Sequence, residues 1–305
     1  MKYLTLLLSL TLIACSCAAR VDIDWSQVRP IEEFDHYRAR LSSNIHHPSV
    51  AANPNRRIVN GQEATPGQFP YQVALLGQFN QGVGLCGGSI ITNNYVLTAA
   101  HCVHSGTNSN NPIVSGVAIV GAHNRMIEEP SQQRITFTSA GIVGHPGYDL
   151  FTFRHDIAVI RLDEPIVYTD RVQPIRLPAR SDTRSFAGFI GTVSGYGVYD
   201  TANPGLSDVL NYVANPVMTN ADCIAQWTPQ LVEDQNICHS GDGGRAACNS
   251  DSGGPLTVPD GGSLLVGVVA FGSGTGCDSG IATVFMRVSY YLEWIEANSD
   301  FVADP

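Results

Sequence analysis

The stretch Cys248-Asn249-Ser250-Asp251-Ser252-Gly253-Gly254-Pro255 decides the fold when it is combined with two earlier segments, Thr98-Ala99-Ala100-His101-Cys102 and His155-Asp156-Ile157-Ala158-Val159. A serine hydroxyl is a poor nucleophile at neutral pH unless an imidazole takes its proton and a carboxylate orients that imidazole. The three segments supply one candidate for each role, His101, Asp156 and Ser252. An α/β-hydrolase places its serine before its histidine, so the opposite order here argues against that fold.

The N-terminal segment, residues 1–19, has the pattern of a secretory signal peptide. Lys2 supplies a positive charge, residues 4–13 form an apolar run too short to span a bilayer, and Cys17-Ala18-Ala19 resembles a cleavage site. A membrane anchor is the alternative. We expect a secreted, extracellular protein with no membrane association.

Cysteine usage agrees with export. Two of the eight cysteines lie in the signal peptide, and the remaining six predict three disulfides, although sequence alone leaves their pairing open. Outside the signal no Cys-x-x-Cys pair is present, so a metal centre is not expected.

The charge balance restricts the partners of the chain. Its formal net charge is −10, and its only lysine is Lys2. An acidic protein of this kind is not expected to bind nucleic acid. Arginine as the sole permanent cation suits an alkaline gut, because lysine begins to lose its charge near its pKa of about 10.4; compositional drift is the alternative.

From Ile58 to about Asn298 the chain consists of short apolar or β-branched runs separated by Gly, Pro and Asn. This spacing predicts an all-β sandwich or barrel, as one large or two small domains. Residues 289–298 form the one clear helical segment, with Ser289 as its expected N-cap.

Over residues 56–298 these motifs resemble the trypsin/chymotrypsin-like serine peptidase family, in particular arthropod digestive chymotrypsin-like and collagenolytic (brachyurin-like) proteases. The resemblance implies two six-stranded antiparallel Greek-key barrels with the active site in the cleft between them. The peptidase domain would span 58–305, with an N-terminal barrel over about 58–172, a C-terminal barrel over about 173–288 and a C-terminal helix over 289–298.

The resemblance also implies that the protein is made as a zymogen. Residues 20–57 would be an activation propeptide cut after Arg57, and the new ammonium of Ile58 would pair with Asp251. No cysteine lies between residues 20 and 57, so no disulfide tethers the propeptide after the cut. A disordered linker with an incidental dibasic site is the alternative.

For the chemistry, the resemblance implies a catalytic triad of His101, Asp156 and Ser252 and an oxyanion hole formed by the backbone of Ser250 and Ser252. It pairs the cysteines as Cys86–Cys102, Cys223–Cys238 and Cys248–Cys277. Ser250 stands where the family usually has glycine, and Ala270 stands where a serine usually supports the triad carboxylate. We expect an active enzyme with narrowed substrates or altered inhibitor binding.

Specificity depends on the pocket for the residue before the cut. The resemblance assigns substrate binding to Ala246, Asn249, Ala270, Phe271, Gly272 and Thr283. Ala246 cannot pair with Lys or Arg, so the preferred residue is aromatic or large and apolar. Elastase-like preference for smaller side chains is the alternative, and Asp242 and Asp278 are candidates for admitting basic residues, as in collagenolytic relatives.

The expected function is that of a digestive, monomeric serine endopeptidase, with the gut lumen as its site. It needs no metal or cofactor. Its partners would be protein or peptide substrates, an activating trypsin-like protease and protein protease inhibitors. Rival interpretations are a catalytically inactive homologue that only binds, and a regulatory cascade protease.

Overall fold

The structure is a computed structural model that describes residues 21–34, 37, 61–103, 113–198 and 205–305. The predicted signal peptide and the predicted cleavage site at Arg57 and Ile58 lie outside the described residues. None of the helices in these ranges is long and apolar enough to cross a membrane.

Fifteen strands make up most of the regular structure. In chain order they are β1 (Val28–Pro30), β2 (Gln62–Glu63), β3 (Gln72–Phe79), β4 (Gly82–Ile90), β5 (Tyr95–Thr98), β6 (Ile113–Val120), β7 (Gln133–Thr138), β8 (Ile142–Gly144), β9 (Ala158–Arg161), β10 (Ile190–Gly195), β11 (Asn211–Met218), β12 (Asn236–His239), β13 (Pro255–Pro259), β14 (Ser263–Phe271) and β15 (Thr283–Arg287).

The strands form two sheets, one in each half of the chain. The first has the order β7-β6-β3-β4-β5-β9-β8, with β1 added on β4. The second has the order β10-β13-β14-β15-β12-β11, and pairing of β10 with β11 closes it into a six-stranded barrel to which β2 adds. The predicted class, an all-β protein with two antiparallel barrel-like sheets, is confirmed, and the short β8 gives the first sheet a seventh antiparallel strand.

The sequence of strand β3 does not alternate between apolar and polar residues as that of a half-exposed strand would. Val73 and Leu75 point into the largest apolar cluster, whereas Ala74 and Leu76 belong to a second cluster on the opposite face. Since side chains alternate across a strand, both faces of this sheet are therefore covered.

Part of the cover on that second face comes from residues 21–34, which we call the N-terminal arm. Ile23, Trp25 and Val28 pack against the second cluster, and β1 runs parallel to β4 with Val28 opposite Val83 and Pro30 opposite Leu85. The arm is thus held to the sheet without a disulfide.

Two helices differ from expectation. Helix α1 (Asn220–Gln226) is not predicted from the sequence; the Thr219 side chain caps it by accepting a hydrogen bond from the Asp222 amide. Helix α2 (Leu292–Ala297) follows a 3₁₀ turn at Val288–Tyr291, so Ser289 is not its N-cap. The Ser289 prediction is wrong because the chain first completes the tighter turn, which places Tyr291 at the N-cap position.

Three disulfides join Cys86 to Cys102, Cys223 to Cys238 and Cys248 to Cys277. These are the pairs that the resemblance implies. The first links β4 to the turn that carries His101, and the second links α1 to β12. Cross-links of this kind stabilise a fold mainly by restricting the unfolded chain.

Candidate active site

His101 and Asp156 meet at one end of the first sheet. Strands β5 and β9 are antiparallel with Thr98 opposite Ala158, so the segment after β5 lies beside the segment before β9. The Asp156 carboxylate accepts a hydrogen bond from the His101 amide at 2.8 Å and lies 2.7 Å from Nδ1 of its ring. Both side chains are fully buried. The carboxylate therefore fixes the orientation of the imidazole.

Ser252 belongs to the second half of the chain, in the tight turn that precedes β13. The Gly87 amide of the first sheet donates to the Ser252 carbonyl at 2.7 Å. Next to it Gly253 has φ +79°, and a Cβ there would lie 2.2 Å from Oγ1 of Thr98. Only glycine fits at this position, because the two halves approach so closely.

The carboxylate of Glu32, from the N-terminal arm, lies in the cleft against Ser250 and Ser252. The Ser250 amide donates to Oε1 at 3.1 Å and to Oε2 at 3.0 Å, and the Ser252 hydroxyl donates to Oε1 at 2.8 Å. Burial, with a smaller contribution from nearby Asp251, raises the pKa of Glu32 to about 7. In this state the Ser252 hydroxyl directs its proton to Glu32, whereas a serine nucleophile would have to give that proton to His101.

Ser250 has an unusual backbone conformation, with φ +71°. This is the left-handed region that favours glycine, the residue usual at this position in the family it resembles. The residue is buried, and its hydroxyl has no hydrogen-bond partner among the described residues. Ser250 thus presents its amide to the cleft at the cost of backbone strain and an unsatisfied hydroxyl.

Asp251 is fully buried beside the nucleophile candidate. Its two carboxylate oxygens accept hydrogen bonds from the amides of Gly197 and Cys248, each at 2.9 Å. Burial raises the pKa of Asp251 to about 6, against the lowering effect of these two bonds. Burial and the two amide hydrogen bonds account for this shift, with no contribution from a cation among the described residues, and Ile58 lies outside them.

A cavity of about 370 Å³ opens beside Ser252. Five of the six residues expected to bind substrate line it: Ala246, Asn249, Phe271, Gly272 and Thr283. Ala270 does not; it is fully buried where the pairing of β14 with β15 contains a bulge. Asp242 and Asp278 are also absent from the described lining, whereas the apolar Val198, Ala247 and Ile281 contribute to it.

The cavity wall also includes two residues from the segment before the proposed cut, Glu32 and Tyr37, and neither was predicted from the sequence. The Tyr37 ring meets the His101 ring edge-on, with 5.2 Å between the centroids. A signal was present in the segment Ile31-Glu32-Glu33-Phe34, where apolar residues flank two carboxylates inside an otherwise polar stretch. Sequence alone does not show that these apolar residues reach the cleft.

Cys86, His101 and Cys102 form the one close group of metal-ligating residue types among the described residues. Both sulfurs are joined in a disulfide, so neither can act as a thiolate ligand. The arrangement therefore offers no basis for a metal centre.

An oriented buried imidazole, a serine in a glycine-rich turn and a backbone amide aimed at the same cleft form the arrangement of a serine peptidase. The sequence profile of the family described as Trypsin matches residues 58–295. The chain belongs to the trypsin family and is a serine endopeptidase.

Curated proteins that are similar to this chain align with it over most of its length. Brachyurin of Leptuca pugilator is 38% identical over 244 residues, which cover 79% of this chain and 98% of the relative. Collagenase of Hypoderma lineatum is 36% identical over 266 residues, 87% of this chain and 95% of the relative. Chymotrypsin of Phaedon cochleariae is 36% identical over 260 residues, 85% and 87% of the two chains. A solved structure of HL collagenase superposes with a TM-score of 0.70 at 36% identity, covering 80% of this chain and 99% of that one.

Proposed function

We propose that the chain is a secreted digestive endopeptidase made as a zymogen, which cuts protein substrates after aromatic or large apolar residues. The single observation that carries this proposal is the buried His101–Asp156 pair at 2.7 Å; the neighbouring Cys102 brings it close to Ser252, with its Sγ 3.4 Å from the Ser252 carbonyl oxygen. The gut lumen is the proposed site of action.

In the proposed mechanism the Ser252 Oγ attacks the carbonyl carbon of the scissile bond while its proton passes to Nε2 of His101. Asp156 holds the Nδ1–H and stabilises the imidazolium. The oxyanion of the tetrahedral intermediate accepts hydrogen bonds from the amides of Ser250 and Ser252. His101 then gives its proton to the leaving amine, which breaks the C–N bond and leaves an acyl-enzyme. Water activated by His101 hydrolyses that ester and restores the serine.

The specificity proposal is supported by the cavity wall. Ala246 supplies no charge at the position assigned to the pocket base, and neither Asp242 nor Asp278 lines the described cavity, so lysine or arginine would lose hydration without a partner. Relatives named brachyurin and collagenase favour broad collagenolytic cleavage as the second candidate. Thr283 in the wall favours smaller, elastase-like residues as a third.

Activation is proposed to occur by a cut after Arg57, made by a trypsin-like protease. The new Ile58 ammonium would then pair with Asp251. The proposal is supported by the burial of Asp251 with two amide donors and no described cation, because an ionised buried carboxylate needs a partner.

The test uses the full chain, treated with trypsin and compared with an Arg57→Gln chain. We expect an N-terminus at Ile58, fluorophosphonate labelling of Ser252 and preferential cleavage after Phe, Tyr or Leu in a peptide library, all absent in the variant. A correctly cut chain that is never labelled would contradict the proposed function, and would favour the inactive, binding-only homologue.

A further inference from the structure

We propose that the N-terminal arm together with Tyr37 acts as a peptide inhibitor of the activated enzyme, which stays bound after the cut at Arg57 and blocks the cleft through the carboxylate of Glu32. This inference rests on the proposed function, since it concerns what blocks that same cleft. The ligand is a defined segment of this chain.

The first support is the backbone pairing of the arm. Strand β1 adds to β4 in parallel, with Val28, Arg29 and Pro30 opposite Val83, Gly84 and Leu85. In addition Arg29 donates a hydrogen bond from its guanidinium to the Gln81 carbonyl at 2.7 Å. Adding a strand to a sheet is a recurring mode of peptide recognition, in which the backbone provides affinity and the side chains provide selectivity.

The second support is the burial of apolar side chains of the arm. Ile31 and Phe34 are 1% and 0% exposed, and they belong to the largest apolar cluster of the molecule. The Phe34 ring lies 5.2 Å from the Phe79 ring, and the Arg29 guanidinium lies over the Phe34 ring, 4.5 Å from its centroid. Buried aromatic anchors of this kind carry most of the binding energy in protein–peptide complexes.

The third support is the polar contact at the reacting groups. Glu32 occupies both the Ser250 amide and the Ser252 hydroxyl, the donor and the nucleophile of the proposed mechanism. Tyr37, three residues beyond the arm, lies against the His101 ring, and both Glu32 and Tyr37 line the cavity beside Ser252. A substrate therefore cannot enter while these side chains are in place, so inhibition should be competitive.

All of these contacts involve residues 21–34 and Tyr37, at least 20 positions before the proposed cut. Cleavage at Arg57 breaks a covalent link but removes none of them. Full activity therefore requires two events, the cut and the departure of the arm, and the second depends on dilution.

The test adds synthetic peptides to the full chain after trypsin cleavage and dilution. The natural peptide, residues 21–37, should raise the apparent KM for a small chromogenic substrate and leave kcat unchanged. A Glu32→Ala peptide should inhibit about tenfold more weakly or worse, because the hydrogen bonds from two donors, the Ser250 amide and the Ser252 hydroxyl, are lost. A Glu33→Ala peptide is the matched control, since Glu33 is exposed; its inhibition constant should stay within about threefold of the natural one.

A second variant tests the sheet contact. A Cβ at Gly84 would lie 2.7 Å from Cδ1 of Ile31, so Gly84→Ala in the enzyme should weaken the natural peptide about tenfold without changing kcat/KM. Equal inhibition by the Glu32→Ala and Glu33→Ala peptides, or no inhibition by the natural peptide at about 1 mM, would overturn the inference.

The two proposals fail in different ways. Fluorophosphonate labelling of Ser252 that the natural peptide does not slow overturns this inference and leaves the proposed function intact. No labelling at any dilution, while a fluorescent arm peptide still binds, overturns the proposed function instead.

Discussion

Ser250 is a non-glycine residue with positive φ at the centre of the site, and its buried hydroxyl is unsatisfied among the described residues. An L-residue in this region costs about 1–2 kcal/mol relative to glycine. We expect Ser250→Gly to raise Tm by about 2–4 °C, measured by thermal denaturation of the uncut chain. Ser240→Gly is the control: its φ is not positive and its hydroxyl accepts a hydrogen bond from the Asp242 amide, so both the added chain freedom and the lost hydrogen bond should lower Tm. A lower Tm for Ser250→Gly would contradict the strain argument.

Glu32 also makes binding of the arm depend on pH. Burial raises its pKa from 4.5 to about 7 in the docked state, so docking takes up a proton between these values. The contribution of Glu32 to docking is fully present below pH 4.5, where the side chain is protonated in both states, and it is lost as the pH rises through 7. We expect the natural 21–37 peptide to bind up to about tenfold more weakly per pH unit within this window, and to level off above it.

The measurement is the dissociation constant of a fluorescent peptide from pH 5 to 9. The other titratable groups near the Glu32 carboxylate are Asp251, which acts on it electrostatically, Tyr37, which lines the same cavity, and His101, whose ring contacts that of Tyr37. A Glu32→Gln peptide meets the same three groups but cannot titrate at position 32, so its affinity relative to the natural peptide should rise with pH. If the ratio of the two affinities does not change with pH, the pH dependence of binding does not come from Glu32.

Helix α1 illustrates stabilisation at the scale of one element. It has two turns and depends on Thr219, which accepts from the Asp222 amide at 3.1 Å. Removing such a cap costs about 1 kcal/mol, so Thr219→Ala should lower the urea midpoint measurably. Thr228→Ala is the control, because Thr228 is exposed and has no side-chain hydrogen bond among the described residues. Equal midpoints for the two variants would contradict the role of the cap.

The elements also show what sequence can and cannot predict. The His101, Asp156 and Ser252 segments and the β-rich pattern are local features, and they indicate the sheets, the cleft and the cysteine pairs through resemblance. Helix α1 was missed because seven residues give too little periodicity. The arm was missed because Ile31 and Phe34 are buried by residues about 45 to 50 positions away, such as Phe79.

At the scale of the whole molecule, the two halves of the chain pack against each other where glycines allow their backbones to approach closely. A Cβ at Gly87 would lie 2.7 Å from Cα of Gly254, which is backbone and cannot rotate away. We expect Gly87→Ala to displace the Ser252 turn, slow fluorophosphonate labelling of the activated enzyme at least about 100-fold, and lower the free energy of unfolding by about 1–3 kcal/mol. Gly84→Ala, in the same strand but facing side chains, should label at the normal rate. Normal labelling of Gly87→Ala would show that the halves can separate without cost.

The position of Trp25 and Val28 over the first sheet has a further consequence for handling the enzyme. These side chains shield Leu76, Leu85 and their neighbours from water, and the Arg125 guanidinium stacks on the indole at 4.9 Å. When the N-terminal arm dissociates, this apolar surface is exposed to solvent. The cut enzyme should therefore adsorb to plastic, increase the fluorescence of hydrophobic dyes and self-associate more readily than the uncut chain. Storage as the uncut chain is then the natural way to keep this protease in solution.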